Sequence, residues 1–350
     1  MILALFSLSA CGIEFGGKKA GNDVGGIFVS NTSGDSWTNM SKFYTNSSEN
    51  GSISTLDTSS LILDPSDDTA VYFASMTSGL FYAYDISLGW RRAVGLPSTR
   101  IGDVKINPNS KCMIYASAGN KVYKSTDCNR NWKSVYYDDQ SSAFIYSIAI
   151  DHYNDNRVYI GTSRGEIILS ENSGESWRVI NDVGSPVLDI AISPQDSRII
   201  FFRTQSHGVF RSLDGGENWI SLKDVFMEEF KNSSKISGLD ISAKDEGTII
   251  VTTPYGMLKS KDNGEIWERI ELITPEKETQ INDVVMDNLD PNIIYYTTDS
   301  KFYRTNDNGK TWTARNLPTQ RRGWKIIVDP DETGLLYLGV RAVEDKKGFF

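Results

Sequence analysis

One eight-residue phrase recurs down the chain. It reads SNTSGDSW at 30–37, STDCNRNW at 125–132, SENSGESW at 170–177, SLDGGENW at 212–219, SKDNGEIW at 260–267 and TNDNGKTW at 305–312. A worn copy, AYDISLGW, ends at Trp90 and keeps the acidic residue as Asp85. With that copy included, Trp37, Trp90, Trp132, Trp177, Trp219, Trp267 and Trp312 are spaced 53, 42, 45, 42, 48 and 45 residues apart. A fixed period constrains a chain more than composition does. Each repeat is one supersecondary unit that cannot bury its apolar face alone and must stack on its neighbours. A period of about 40–45 residues is the length of a four-stranded propeller blade.

Strands are legible within the period. The stretch PVLDIAISPQDSRIIFFRTQSHGVFRSLDGGENWISL (186–222) holds four β runs, separated by Pro-Gln-Asp-Ser, Ser-His-Gly and the phrase itself. First runs carry apolar residues at alternate positions: Val104/Ile106, Ile148/Ile150, Ile190/Ile192, Leu239/Ile241 and Val284/Met286. Period two with one apolar face predicts a strand. The one short helical candidate, DVFMEEF at 224–230, falls in a connection.

The phrase lies between the third and fourth strands, where the chain must reverse. A glycine such as Gly174 tolerates positive φ, and Asp127, Asp214, Asp262 and Asp307 can accept bonds from turn amides. The Ser or Thr adds local hydrogen bonds, and the tryptophan supplies an apolar plate under the hairpin. The repeated residues are therefore expected to be structural.

Six complete units run from roughly 55 to 315. The N-terminal GGIFVSNTSGDSW supplies only a third and fourth strand, and GWKIIVDPDETGLLYLGVR only a first and second. Together they would complete a seventh blade and remove the exposed sheet edges. The expected fold is all-β, a seven-bladed propeller of four-stranded antiparallel blades over residues 25–350, closed by joining the terminal strands. The final KKGFF reads as another third strand, competing with Gly26–Val29 for one slot or continuing into further repeats of a longer protein.

The formal charge of −9 gives no electrostatic reason to propose nucleic acid. Abundant Gly, Ser, Asn and Asp with 11% aromatics agrees with strands joined by tight turns. The opening MILALFSLSAC ends in small residues before a cysteine, the pattern of a bacterial lipobox. It predicts a signal peptide over 1–11, lipidation at Cys11 and a flexible tether over 12–24, although no Lys or Arg precedes the apolar run. Cys112 and Cys128 fall in one repeat. Export would let them form a disulfide joining the blade's two turns; two separate buried thiols are the alternative.

The phrase resembles the Asp-box (BNR) repeat of sialidases, sortilin-type receptors, xyloglucanase-like glycosidases and the photosystem assembly factor family. In those families the boxes occupy the face opposite the binding site. The resemblance therefore implies a site among the strand 2–3 loops and blade-to-blade loops, at the mouth of the central channel. One column there reads Ser60, Asp103, Ser147, Asp189, Gly238, Asp283 and Lys325. Its three aspartates could converge as the carboxyl pair of a glycosidase, or each could cap amides of a neighbouring blade. Arg100, Arg164, Arg203, Arg321, Arg322 and His207 are expected near this face. So are Tyr136 and Tyr137, in a blade-to-blade connection, and Trp324 beside the Arg321–Arg322 pair. Arg and Trp are the types that dominate binding hot spots.

The arginine triad and Tyr/Glu pair of sialidases are not recognisable here. The chain has only His152 and His207 as histidines and no Ser/His/Asp or metal-ligand spacing. The boxes lack the distal Glu of a calcium loop. No metal or cofactor is expected. The favoured expectation is a non-catalytic scaffold of the bacterial cell envelope, extracytoplasmic and lipid-anchored, that binds an envelope protein or glycan. The membrane would be touched through the lipid alone, nucleic acid is not a partner, and the oligomeric state stays open. The alternatives are a glycoside hydrolase using Asp103, Asp189 and Asp283, and a fragment of a cell-surface adhesion protein.

Overall fold

The computed structural model describes residues 23–44, 51–229, 235–275 and 279–343. They form seven four-stranded antiparallel sheets arranged as a β-propeller. The innermost strands, in ring order, are Thr58–Asp64, Ile101–Asn107, Ile145–Ile150, Val187–Ile192, Gly238–Ile241, Ile281–Met286 and Arg322–Val328. These open blades 1 to 7. Blade 7 is composite: Arg322–Val328 and Leu336–Arg341 from the end of the chain pair with Ile27–Ser30 and Thr38–Asn39 from its beginning. Ile27 faces Gly339 and Ser30 faces Leu336. Ile27–Ser30 thus fills the third-strand slot for which KKGFF is the competing candidate. That segment, the leader with Cys11, and the tether up to residue 22 lie outside the described residues.

The core is not at the centre of the ring. Seven apolar clusters fill the seven gaps between consecutive blades. Val104, Ile148, Ile190 and Met286 are buried in these gaps, as the period-two reading requires. The connection between blades 4 and 5 contains the short helix Lys223–Glu229. Its Phe226 is fully buried and meets the Trp267 ring edge-on at 5.1 Å.

Outside the worn copy in blade 1, where Ala83 replaces the hydroxyl residue, the boxes build their turns by a shared set of bonds. In blade 4 the Ser212 hydroxyl donates to Asp214 Oδ1 at 2.8 Å and accepts the Gly216 amide at 2.8 Å, while the Asn218 amide donates to Asp214 Oδ1 at 2.9 Å. Ser260 with Asp262 and Thr305 with Asp307 repeat the pattern. Two successive residues take positive φ, for example Asn308 at 56° and Gly309 at 85°. Gly309 also lies against the Ile270 side chain of blade 5, where no Cβ would fit. Blade 2 uses Asn129 in place of the glycine, at φ 66°.

The tryptophans differ from the sequence expectation. They do not lie simply beneath their own hairpin. Trp177 donates to Val135 O of blade 2 at 2.9 Å as well as to Gly174 O, and Trp312 donates to Glu271 O just after blade 5 at 2.8 Å. Trp37 packs edge-on against Phe302 of blade 6 at 5.5 Å. These three indoles clasp neighbouring blades, whereas Trp219 and Trp267 donate to the glycine carbonyl of their own box. Burial is uneven: Trp90, in the worn copy with Asp85, is 0% exposed and Trp267 7%, whereas Trp37, Trp132, Trp177, Trp219 and Trp312 are half-buried.

Candidate functional site

The seven inner strands run from the face opposite the boxes toward the box face. Their channel-side residues therefore converge where the strands begin. A cavity of about 760 Å³ opens there. Ser60, Asp103, Asp189, Asp283 and Lys325 of the expected column line it, together with Arg100, Arg203 and Trp324. Ser147 and Gly238 do not; both are buried, and a Cβ on Gly238 would meet Val284 of blade 6 at 2.8 Å.

The carboxylates have defined partners. Asp103 Oδ1 accepts the Ser60 hydroxyl of blade 1 at 2.7 Å and its neighbour Val104's amide at 2.9 Å. Its Oδ2 accepts the Ile148 amide of blade 3 at 3.0 Å and lies 3.3 Å from Lys105 Nζ. One carboxylate thereby joins three blades. Asp283 repeats the device, accepting the Ile326 amide of blade 7 at 2.9 Å with Lys325 Nζ at 3.2 Å. Burial pushes the Asp283 carboxyl above its ordinary range against the pull of Lys325. Asp189 pairs with Arg203 across its own blade at 3.6 Å.

Two channel groups escaped the sequence reading. They sit one alternate position further along the same strands, where the column continues as Lys105 and Asp240. Asp240 alternates with Leu239 and Ile241, which pack in the blade 4–5 core. Its Oδ2 accepts the Met286 amide of blade 6 at 2.7 Å. Burial pushes this carboxyl up to about 7, despite the Met286 amide and Lys325. Reading the column two residues deeper would have found both. Arg341, also missed, stands in register with Arg322.

Other expected site residues lie elsewhere. Arg321 is 8% exposed and unavailable to a partner: Nε meets Asp23 Oδ1 at 2.9 Å and Nη1 meets Asp57 Oδ1 at 2.8 Å. Arg164 is held by Glu166 at 2.6 Å and Asp138 at 3.3 Å, away from the cavity. The His207 ring Nδ1 is bonded to Val183 O at 2.9 Å. Tyr136 and Tyr137 end the fourth strand Lys133–Tyr137 of blade 2, not a loop. Tyr136 packs edge-on against Trp177 at 5.5 Å, and Tyr137 is exposed on the blade's rim. Arg322 Nε donates to Ala342 O at 3.2 Å, with its guanidinium 5.5 Å from the Trp324 ring centre. Cys112 and Cys128 are joined by a disulfide across the box-side turns of blade 2. Among the described residues, no three His, Cys, Asp or Glu side chains are grouped to hold a metal ion.

The family model described as photosynthesis system II assembly factor YCF48 matches residues 179–321. A xyloglucanase from a Paenibacillus species is 25% identical over 291 residues, covering 74% of this chain and 25% of that protein. Xyloglucanase Xgh74A of Acetivibrio thermocellus is 25% identical over 244 residues, covering 63% and 26%. The chain spans about a quarter of the length of these curated relatives. Among solved structures, the GH74 xyloglucanase from Xanthomonas campestris superposes with a TM-score of 0.67 at 13% identity, over 82% of this chain and 51% of that one. YCF48 from Cyanidioschyzon merolae gives 0.62 at 14%, over 81% and 95%. A structure of YCF48 bound to D1 peptide gives 0.61 at 17%, over 81% and 95%. At these identities the likeness is one of fold.

Proposed function

The chain is an Asp-box (BNR-type) seven-bladed propeller, and on that premise we propose that it is a binding scaffold rather than a hydrolase, with the channel-mouth cavity as its binding site. The observation that carries this reading is the bonding of the cavity carboxylates. Asp103 and Asp283 each accept a backbone amide of the next blade and pair with a lysine, and Asp189 pairs with Arg203. A glycosidase needs two carboxyl groups facing the scissile bond, one giving a proton while the other attacks or activates water. Carboxylates that hold blades together are poorly placed to change protonation state. The YCF48 structure bound to D1 peptide supports a protein segment as the class of partner for a propeller of this shape.

The competing reading has in its favour the raised Asp283 and Asp240 carboxyls in a chain similar to xyloglucanases. Incubation with xyloglucan oligosaccharides decides between the two. No cleavage product is expected from the wild type. Cleavage that Asp189→Asn or Asp103→Asn abolishes at unchanged melting temperature would overturn the scaffold.

The proposal includes an extracytoplasmic location in a bacterial envelope, through a lipid on Cys11. Cells fed labelled fatty acid should label the wild type and not Cys11→Ser. An unlabelled, soluble wild type removes the anchor from the reading.

A further inference from the structure

We propose that the cavity takes a carboxylate-bearing segment of another polypeptide, an inference that rests on the scaffold reading above. The first observation is charge. The chain carries −9 overall, yet among the described residues Arg100, Lys105, Arg203, Lys235, Lys325 and Arg341 line the cavity against Asp103, Asp189 and Asp283, with Asp240 one alternate position deeper. Among the described residues the cations outnumber the carboxylates even with Asp240 counted, so this lining is net positive. A cleft of one sign with low-dielectric walls focuses its field and draws in the opposite charge.

The second observation concerns where those cations are held. Arg100 lies over the Phe144 ring with its guanidinium carbon 4.5 Å from the centroid, and 5.4 Å from that of Tyr146. Across the cavity rim, Arg341 lies 3.3 Å from the Trp324 centroid. Rings mount these guanidiniums in place, which removes rotamer freedom before any ligand arrives. The same mounting covers aromatic faces that a neutral sugar would need for stacking. A site built this way favours anions over uncharged glycans.

The third observation is that Arg100 has no anion of its own. Lys105, Arg203 and Lys325 each have a carboxylate within 4 Å, but no ion pair reaches Arg100 among the described residues. Its Nε is buried without an acceptor. A ligand carboxylate at this fork would form a bidentate, charge-assisted pair. A flexible acidic segment can present one carboxylate here and another toward Lys235, which also lines the cavity.

The test uses the full chain and two fluorescent decapeptides, one rich in glutamate and one with glutamine at the same positions. The acidic peptide should bind at least tenfold more tightly, and its affinity should fall as salt rises from 50 to 300 mM. Arg100→Gln should weaken it about tenfold at unchanged melting temperature, whereas Arg198→Gln, on the box face, should not. Equal binding of both peptides removes this inference and leaves the scaffold intact. So does an unaffected Arg100→Gln. Failure of the acidic peptide to bind, or tighter binding of oligogalacturonate than of the acidic peptide, also overturns it. Turnover of xyloglucan oligosaccharides removes the scaffold reading itself.

Discussion

At six of the seven boxes one hydroxyl organises the turn. Ser212 accepts the amides of both Asp214 and Gly216 while donating to Asp214. Ser212→Ala leaves a buried glycine amide without an acceptor and is expected to cost about 1–3 kcal/mol, read from denaturant unfolding. The box acids behave as ionised acceptors: the amide and side chain of Asn218 and the Ser212 hydroxyl hold Asp214 down at about 2. Asp240 is the opposite case. Its carboxyl is raised from 3.8 to about 7 by burial, so the folded chain keeps a proton that the unfolded chain releases. The contribution is full below about pH 4 and is lost as pH rises through 7. Asp240→Asn should therefore stabilise the protein at pH 8 relative to pH 4. An effect of about 2 kcal/mol is expected, below the ideal linkage value because the side chain is partly open to the channel. Equal effects at the two pH values would show that Asp240 is ionised in the fold. Among the tryptophans, Trp90→Ala should cost about 3–5 kcal/mol, and half-buried Trp177→Ala distinctly less.

At the scale of the element, blades 2, 4, 5 and 6 also hold their successors through the box turn, in addition to the apolar gaps and the inner-strand carboxylates. Third-strand cations reach across the gap to the next box: Lys124 to Ser173 O at 2.9 Å, Arg211 to Asn263 O at 2.7 Å and Arg304 to Ser33 O at 2.9 Å. Lys259 reaches Asn308 Oδ1 at 2.7 Å, and burial lowers its pKa to about 8. Blade 2 carries a departure of its own. Asn129 replaces the box glycine and its amide meets Tyr72 of blade 1 at 3.2 Å, while the Cys112–Cys128 bond spans the turns beside it. Closing a loop of 16 residues stabilises by about 3 kcal/mol in the chain-entropy model. Protein purified without reductant should show the linked peptide by mass spectrometry, and reduction should lower its stability by about that amount. Two free thiols after non-reducing alkylation would reject the bond.

At the scale of the molecule, ring closure is what separates a propeller from an open stack of sheets with two raw edges. Four strands from opposite ends of the chain meet in blade 7, and Arg321 reinforces the seam. Its guanidinium joins Asp23 before blade 7's third strand to Asp57 before blade 1, and Asp57 also accepts the Ala342 amide at 2.7 Å. Arg321→Ala strips a buried cation from two carboxylates and should cost about 1–3 kcal/mol, part of the pairing being exposed at Asp23. Hydrogen exchange should then rise first in Ile27–Ser30 and Leu336–Arg341. Uniform change around the ring would mean that the seam is no weaker than the other gaps.

The sequence by itself determined the blade count, the strand order, the composite seventh blade and the face on which residues gather. All of these follow from a period of fixed length and from side chains alternating along strands, which are local properties. It also placed Asp103, Asp189 and Asp283 in one channel column, because equal register in successive blades means equal height in the ring. What tertiary structure decided is who holds whom. Nothing in the spacing distinguishes Arg321, drawn into the closing seam, from Arg100, mounted on Phe144 and facing the cavity; only the position of Asp23 and Asp57 across the gap does so. The indoles likewise read as plates under their own hairpins, yet Trp37, Trp177 and Trp312 clasp the preceding blade. Partners across a gap lie about one period away in sequence, and a pattern repeated seven times cannot say which neighbour a side chain turns toward.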